Sequence, residues 1–229
     1  MAFELSFKHR NLPDQLADHI VDLLAKGELA AGQRLFEKDI CDLLGVSRVP
    51  VREAFRILGA QGVMRTEPNR GSFLADLGPD EMVEMLEIRL TVERIAFRRL
   101  LKIVPGNPVI LDELREAIDR MRVAARIGDQ LTYYRSDLGF HAKVVELSMS
   151  PTLKPIWDSL SRSVLVLLMK ELNPNFDYEA AIHDHEVLVE LLQGGKQALL
   201  EREVEKHITN TRDKRLGRAS LPKSDVASQ

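Results

Sequence analysis

Apolar residues Leu12, Leu16, Ile20, Leu23 and Leu24 recur at helical spacing and stop at Gly27, which predicts a first helix over about 12–26. Ile40, Leu43 and Leu44 line one side of a second helix, from Glu37 to the break at Gly45. Ser47 stands at an N-cap position, and Val51, Ala54, Phe55 and Leu58 follow at i, i+3, i+4 and i+7, giving a third helix with one apolar face. Pro50 falls in its first turn, where the main-chain N–H has no intrahelical partner to lose. Two short stretches, 63–67 and 72–75, flank Pro68-Asn69-Arg70-Gly71 and predict a β-hairpin.

The Leu77-Gly78-Pro79 step breaks the pattern, and beyond it only helix signals remain. They cover about 79–103, 108–127, 129–149, 151–172, 178–193 and 196–216, divided by Pro105-Gly106-Asn107-Pro108, Gly128, Ser150-Pro151, Asn173-Pro174 and Gly194-Gly195. The expectation is a mainly α protein. Residues 1–76 read as a winged helix-turn-helix, 77–217 as an all-α bundle of six or seven helices, and 218–229, without apolar periodicity, as a disordered tail.

With 229 residues the chain can bury a core without disulfides or a structural metal. Its longest apolar run, Val164 to Met169, is far below the roughly 20 residues of a spanning helix, and the N-terminus lacks an apolar signal core, so a cytoplasmic protein with no membrane partner is expected. Cys41 has no second cysteine to pair with, and its helical setting reads as an inert thiol. A net charge of -3 argues against a uniformly basic surface but leaves room for a local one.

Such a local basic surface exists from Ser47 onward. Arg48, Arg52 and Arg56 are four apart and form one stripe on the third helix, with Lys38 on the second and Arg70-Gly71 at the hairpin tip. A guanidinium can bond a guanine edge or a phosphate through two donors, and a helix start at Ser47 suits a phosphate. Spacing alone leaves a solvated face equally open, with Arg52 paired to Glu53 or another neighbour.

The run from Leu16 to Leu77 resembles the winged helix-turn-helix of the GntR family of bacterial transcriptional regulators, above all in Val46-Ser47-Arg48-x-Pro50-Val51-Arg52-Glu53-Ala54 followed by Leu58 and Gly62. The resemblance implies that Lys38, Ser47, Arg48, Pro50 and Arg52 contact double-stranded operator DNA, with Arg70 and Gly71 on the wing. The sequence departs from the family at Gly59-Ala60-Gln61, where a charged Glu-Ala-Glu type segment is usual, and at Phe36, where a small or polar residue is common.

In the helical half, Asp137 and His141 are four apart on one helix face, and two further helices offer His183, His185 and His207. A bundle core can converge such groups on an ion, although six histidines in a chain of this size also serve as caps and surface residues. Beyond Leu77 the chain resembles the FCD-type effector domain of the FadR subfamily. That implies a divalent metal on Asp137, His141, His185 and His207, with His183 as competitor for the third place, and it matches Arg89 to a family arginine suited to a carboxylate effector. The alternative for Arg89 is a structural ion pair with Glu93 at i+4. Three imidazoles and one carboxylate favour Zn, Ni, Mn or Fe over Mg or Ca.

The expected function is a metal- and ligand-responsive transcriptional regulator sensing a small organic acid, and not an enzyme. It would be a homodimer on palindromic operator DNA, a state implied by the resemblance and by two-fold operator symmetry. The competing reading is a metal-dependent hydrolase or oxygenase built on the same four residues, and a blander one is a helical interaction module with structural histidines.

Overall fold

The structure, a computed structural model, describes residues 11–68, 70–170 and 175–216, with side chains as far as 209. The predicted tail, 218–229, lies outside the described residues, as does the end of the segment predicted at 151–172.

The N-terminal part runs α1 (Leu12–Ala25), β1 (Arg34–Leu35), α2 (Glu37–Leu44), α3 (Arg48–Ala60), β2 (Met64–Glu67) and β3 (Gly71–Leu74). Asn11 caps α1, its side chain accepting from the Asp14 amide at 3.1 Å. Gly45 ends α2 in the left-handed region at φ 66°, which turns the chain sharply into α3. Ser47 does occupy the N-cap of α3 in an extended conformation, but its hydroxyl makes no capping bond. Val51, Ala54, Phe55 and Leu58 bury the predicted face against α1. The three strands are antiparallel in the order β1-β3-β2, with Met64 opposite Leu74 and Glu67 opposite Gly71. Strand β1 was not expected: two residues show no alternation, and only their pairing to Phe73 and Ser72 defines them.

The remainder is helical: α4 (Pro79–Ile103), a 3-10 turn at Val104–Gly106, α5 (Val109–Ile127), α6 (Gln130–Leu147), α7 (Leu153–Met169), α8 (Tyr178–Gln193) and α9 (Gln197–Leu216). Asp129 and Asp177 cap α6 and α8 by accepting from the amides of Thr132 and Ala180 at 2.8 and 2.9 Å. Helix α6 packs against α4, α5 and α7 and buries Tyr133, Tyr134, Leu138, Phe140, Val144 and Val145. It is the central helix of the bundle, so Asp137 and His141, which it also carries, are forced into the interior. Polar groups there must find partners or cost several kcal/mol each, roughly. Among the described residues no helix is long and apolar enough to cross a membrane.

Candidate metal centre and nucleic-acid interface

Arg48, Arg52 and Arg56 lie exposed along α3, Lys38 is exposed on α2, and Pro50 is half-buried in the first turn of α3. Arg52, Arg56 and Arg70 of this surface are engaged by acids. Arg52 donates to Glu37 at 3.2 and 3.4 Å, Arg56 to Glu53 at 3.0 Å and Arg70 to Glu67 at 2.6 Å. Arg52 thus pairs across to α2, and Glu53, its expected partner, holds Arg56.

The wing contains more positive charge than its tip suggested. Arg34, Arg65 and Arg70 surround the ring of Phe73 at 6.0, 5.9 and 5.9 Å, and Arg34 also lies 4.5 Å over Phe36. Phe36 therefore serves as a platform for an arginine brought in by β1. Gly71 has φ 100°, a backbone conformation that selects glycine, and it lies against the Arg34 guanidinium.

Were DNA phosphates to contact Arg52 they would compete with Glu37, and Glu37→Gln would then raise operator affinity a few-fold. Arg52→Ala should lower it roughly tenfold to a hundredfold. Fluorescence anisotropy on a selected operator, with helix content unchanged by circular dichroism, checks both. Unaltered affinity in the Arg52 variant would remove that residue from the interface.

In the bundle, α6, α8 and α9 bring Asp137, His141, His185 and His207 together, with one ligand atom from each lying within 4.8 Å of the others. The Nε2 of His141 is 3.2 Å from that of His185 and 3.3 Å from that of His207, and the His185 Nε2 is 3.2 Å from an Asp137 oxygen. Phe140 packs edge-on to His141 and His185 at 5.3 and 4.8 Å, and the Trp157 ring is 6.2 Å from that of His141. His183 is 70% exposed and faces Glu186 instead.

Hydrogen bonding dictates the protons. His141 Nδ1 donates to the Glu93 carboxylate at 2.6 Å, and His185 Nδ1 donates to the Ala181 carbonyl at 2.7 Å. In the neutral rings both Nε2 atoms are then bare lone pairs, facing each other and a carboxylate oxygen. Burial alone would raise the Asp137 and Glu93 carboxyls, but hydrogen bonding and positive charge outweigh it, from His185, His141 and Arg89 for Asp137 and from His141 and Arg89 for Glu93. Both stay below the usual carboxylate range. Burial holds His141 and His207 below the ordinary imidazole value.

A cation would satisfy these converging acceptors. Metal–nitrogen bonds of about 2.0–2.1 Å at tetrahedral or octahedral angles place donors roughly 3.0–3.4 Å apart, the range seen here. Glu93, fully buried on α4, also accepts from Arg89 Nε at 2.7 Å. The expected Arg89–Glu93 pair is therefore present, and Glu93 extends it to His141 as an orienting group behind the ligand.

Residues 84–210 match the FCD domain, and residues 12–74 match the domain described as bacterial regulatory proteins, gntR family. The chain belongs to the GntR family. It is similar to the probable D-xylose utilization operon transcriptional repressor of Paenarthrobacter nicotinovorans, at 29% identity over 85% of this chain and 84% of that one. The gluconate operon transcriptional repressor of Bacillus subtilis is 26% identical over 83% of this chain and 79% of its own. Two solved structures share the fold. E. coli McbR/YncC has a TM-score of 0.76 at 21% identity, covering 91% of this chain and 98% of that one. A GntR regulator from Rhodococcus sp. RHA1 has a TM-score of 0.73 at 22% identity, covering 91% and 99%.

This GntR-family chain is therefore a DNA-binding transcriptional regulator with an FCD domain, and its relatives are regulators, not enzymes. Sequence reasoning overlooked three residues of the regulator's sites. Glu93 was weighed only as a partner of Arg89, although its i+4 spacing placed it on the same inward face. Glu37 and Arg34 carried no local signal, because each meets its partner only through the fold.

Proposed function

We propose that this regulator binds a divalent transition metal, Zn, Ni, Mn or Fe, through Asp137, His141, His185 and His207. A small carboxylate effector bound there, with Arg89 as its second anchor, changes how a homodimer engages palindromic operator DNA. In this reading residues 1–76 form the DNA-binding domain, with Lys38, Ser47, Arg48, Pro50, Arg52, Arg70 and Gly71 at the DNA, and 77–217 form the sensing domain.

The observation that carries the reading is the buried meeting of the Nε2 atoms of His141, His185 and His207 with an Asp137 oxygen. When the rings are neutral, the Nδ1 bonds of His141 and His185 turn their Nε2 lone pairs towards one another and the carboxylate, a set of acceptors that a cation bridges. Bound there, a transition metal supplies Lewis acidity towards a carboxylate. Arg89 supports the effector half of the proposal. Only 2% exposed, it donates from Nε to Glu93, and its charge acts on Asp137 and His141 of the cluster. A buried guanidinium beside the cluster suits a carboxylate. The gluconate and D-xylose operons in the relatives' names make sugar acids the first compounds to test.

The direct experiment is titration of Zn2+ into chelator-stripped full-length protein, with one equivalent bound per chain expected and no uptake overturning the proposal. Protons compete with metal for the same Nε2 atoms, and burial lowers the proton affinity of His141 and His207. Zn2+ affinity should accordingly hold from pH 8 to below the free-imidazole value of about 6.5, and fall only at lower pH as the rings charge. A fall in affinity that begins above about pH 6.5 contradicts ligation by these buried imidazoles.

A further inference from the structure

The recognition helix α3 ends on the effector bundle. Its C-cap residue is Gln61, in the Gly59-Ala60-Gln61 segment where the sequence departs from the family pattern. Every polar part of Gln61's side chain is used by α7: its Nε2 donates to the Asp158 carbonyl at 3.0 Å, and its Oε1 accepts from Arg162 at 2.8 Å. Its main-chain carbonyl accepts from the buried Ser163 hydroxyl at 2.7 Å. A glutamate at 61 could accept from Arg162 but could not donate to Asp158, so the neutral amide is what completes the set.

The same Arg162, only 12% exposed, continues to α1, donating to Asp18 at 2.8 Å and Asp14 at 3.2 Å. Asp14, Asp18 and Asp22 recur every four residues along one stripe of α1, and Arg135 of α6 pairs with Asp22. Asp14, Asp18, Gln61, Arg135 and Arg162 rim a cavity of about 360 Å³ between α1, α6 and α7, lined also by Trp157. A lone surface ion pair fixes little. A largely buried guanidinium shared by three acceptors on two elements, beside an amide bonded at both ends, is over-determined and permits one orientation.

We propose that Gln61 is a positioning residue for operator binding. Held by Asp158, Arg162 and Ser163, with the Arg135–Asp22 pair as a second strut, it fixes α3 relative to the bundle. Two reading heads on one operator gain from each other only when their geometry permits simultaneous engagement, and a rigid junction supplies that geometry. The two-headed engagement rests on the dimer reading above, but the grip needs no metal.

The test compares full-length wild type with Gln61→Ala, Arg162→Gln, Arg135→Asp and the exchange pair Asp22→Arg/Arg135→Asp. Each is titrated onto a two-half-site operator and onto the same duplex with one half-site scrambled. Gln61→Ala and Arg162→Gln should each lose about tenfold on the full operator and less than about twofold on the half-site. Arg135→Asp should lose in the same selective manner, with Asp22→Arg restoring most of the loss. Equal losses on both duplexes would reveal simple damage to the DNA-binding part and overturn the proposal, as would unchanged affinity for the full operator. A wild type that binds both duplexes equally also overturns it, and the sedimentation mass of that complex separates a missing dimer from two independent heads.

Discussion

Arg89→Leu is expected to destabilise the protein by about 3–5 kcal/mol, because it leaves the buried Glu93 carboxylate without its guanidinium. Arg89 is 2% and Glu93 0% exposed, so water cannot replace the lost partner. For a chain of this length the corresponding fall in melting temperature is roughly 6–20 °C. Adding Glu93→Gln should recover most of it, since the amide still accepts from His141 Nδ1 and position 93 no longer buries a charge. Acidity gives a second signature. Without Arg89 the Glu93 carboxyl moves upward relative to wild type, His141 alone opposing burial, so on acidification the variant's folded state takes up this proton before the wild type's does. The variant's deficit relative to wild type should therefore shrink on acidification. Urea unfolding at two pH values measures this, and a deficit below about 1 kcal/mol at pH 7 would show that the pair is dispensable.

His141→Ala is expected to weaken Zn2+ binding at least a hundredfold, more than the ten- to hundredfold typical of losing a group behind a ligand. His141 is the hub: its Nε2 lies within 3.3 Å of the same atom on both His185 and His207, while its Nδ1 engages Glu93. His183→Ala is the matched control, being exposed and turned towards Glu186, and should bind metal like wild type. Competition with a chelating indicator resolves both. Wild-type affinity in the His141 variant, or loss in the His183 variant, would break the proposed ligand set.

The helices were legible because each packs one face, and their ends because Gly27, Gly45 and Gly128 act locally. The placement of His185 rather than His183 in the cluster was also legible. His185 is in phase with the buried Ile182, Leu188 and Leu192, whereas His183 is one step off that stripe. What stayed hidden depends on contacts between distant residues. Glu37 reaches Arg52 across two helices, and β1 exists only through its pairing to β3. Gln61 looked like a local departure from the family pattern, yet its bonds go to residues about a hundred positions away. No periodicity encodes such a meeting, because either partner alone is an ordinary exposed polar residue.

The central claim is that metal and carboxylate at the histidine cluster govern DNA binding, and operator affinity of Zn2+-loaded full-length protein tests it across a panel of carboxylic acids, sugar acids first. The account predicts that at least one changes affinity by about 5- to 150-fold, and that the effect vanishes in His141→Ala. No change across the panel, or an effect that survives in His141→Ala, would contradict it.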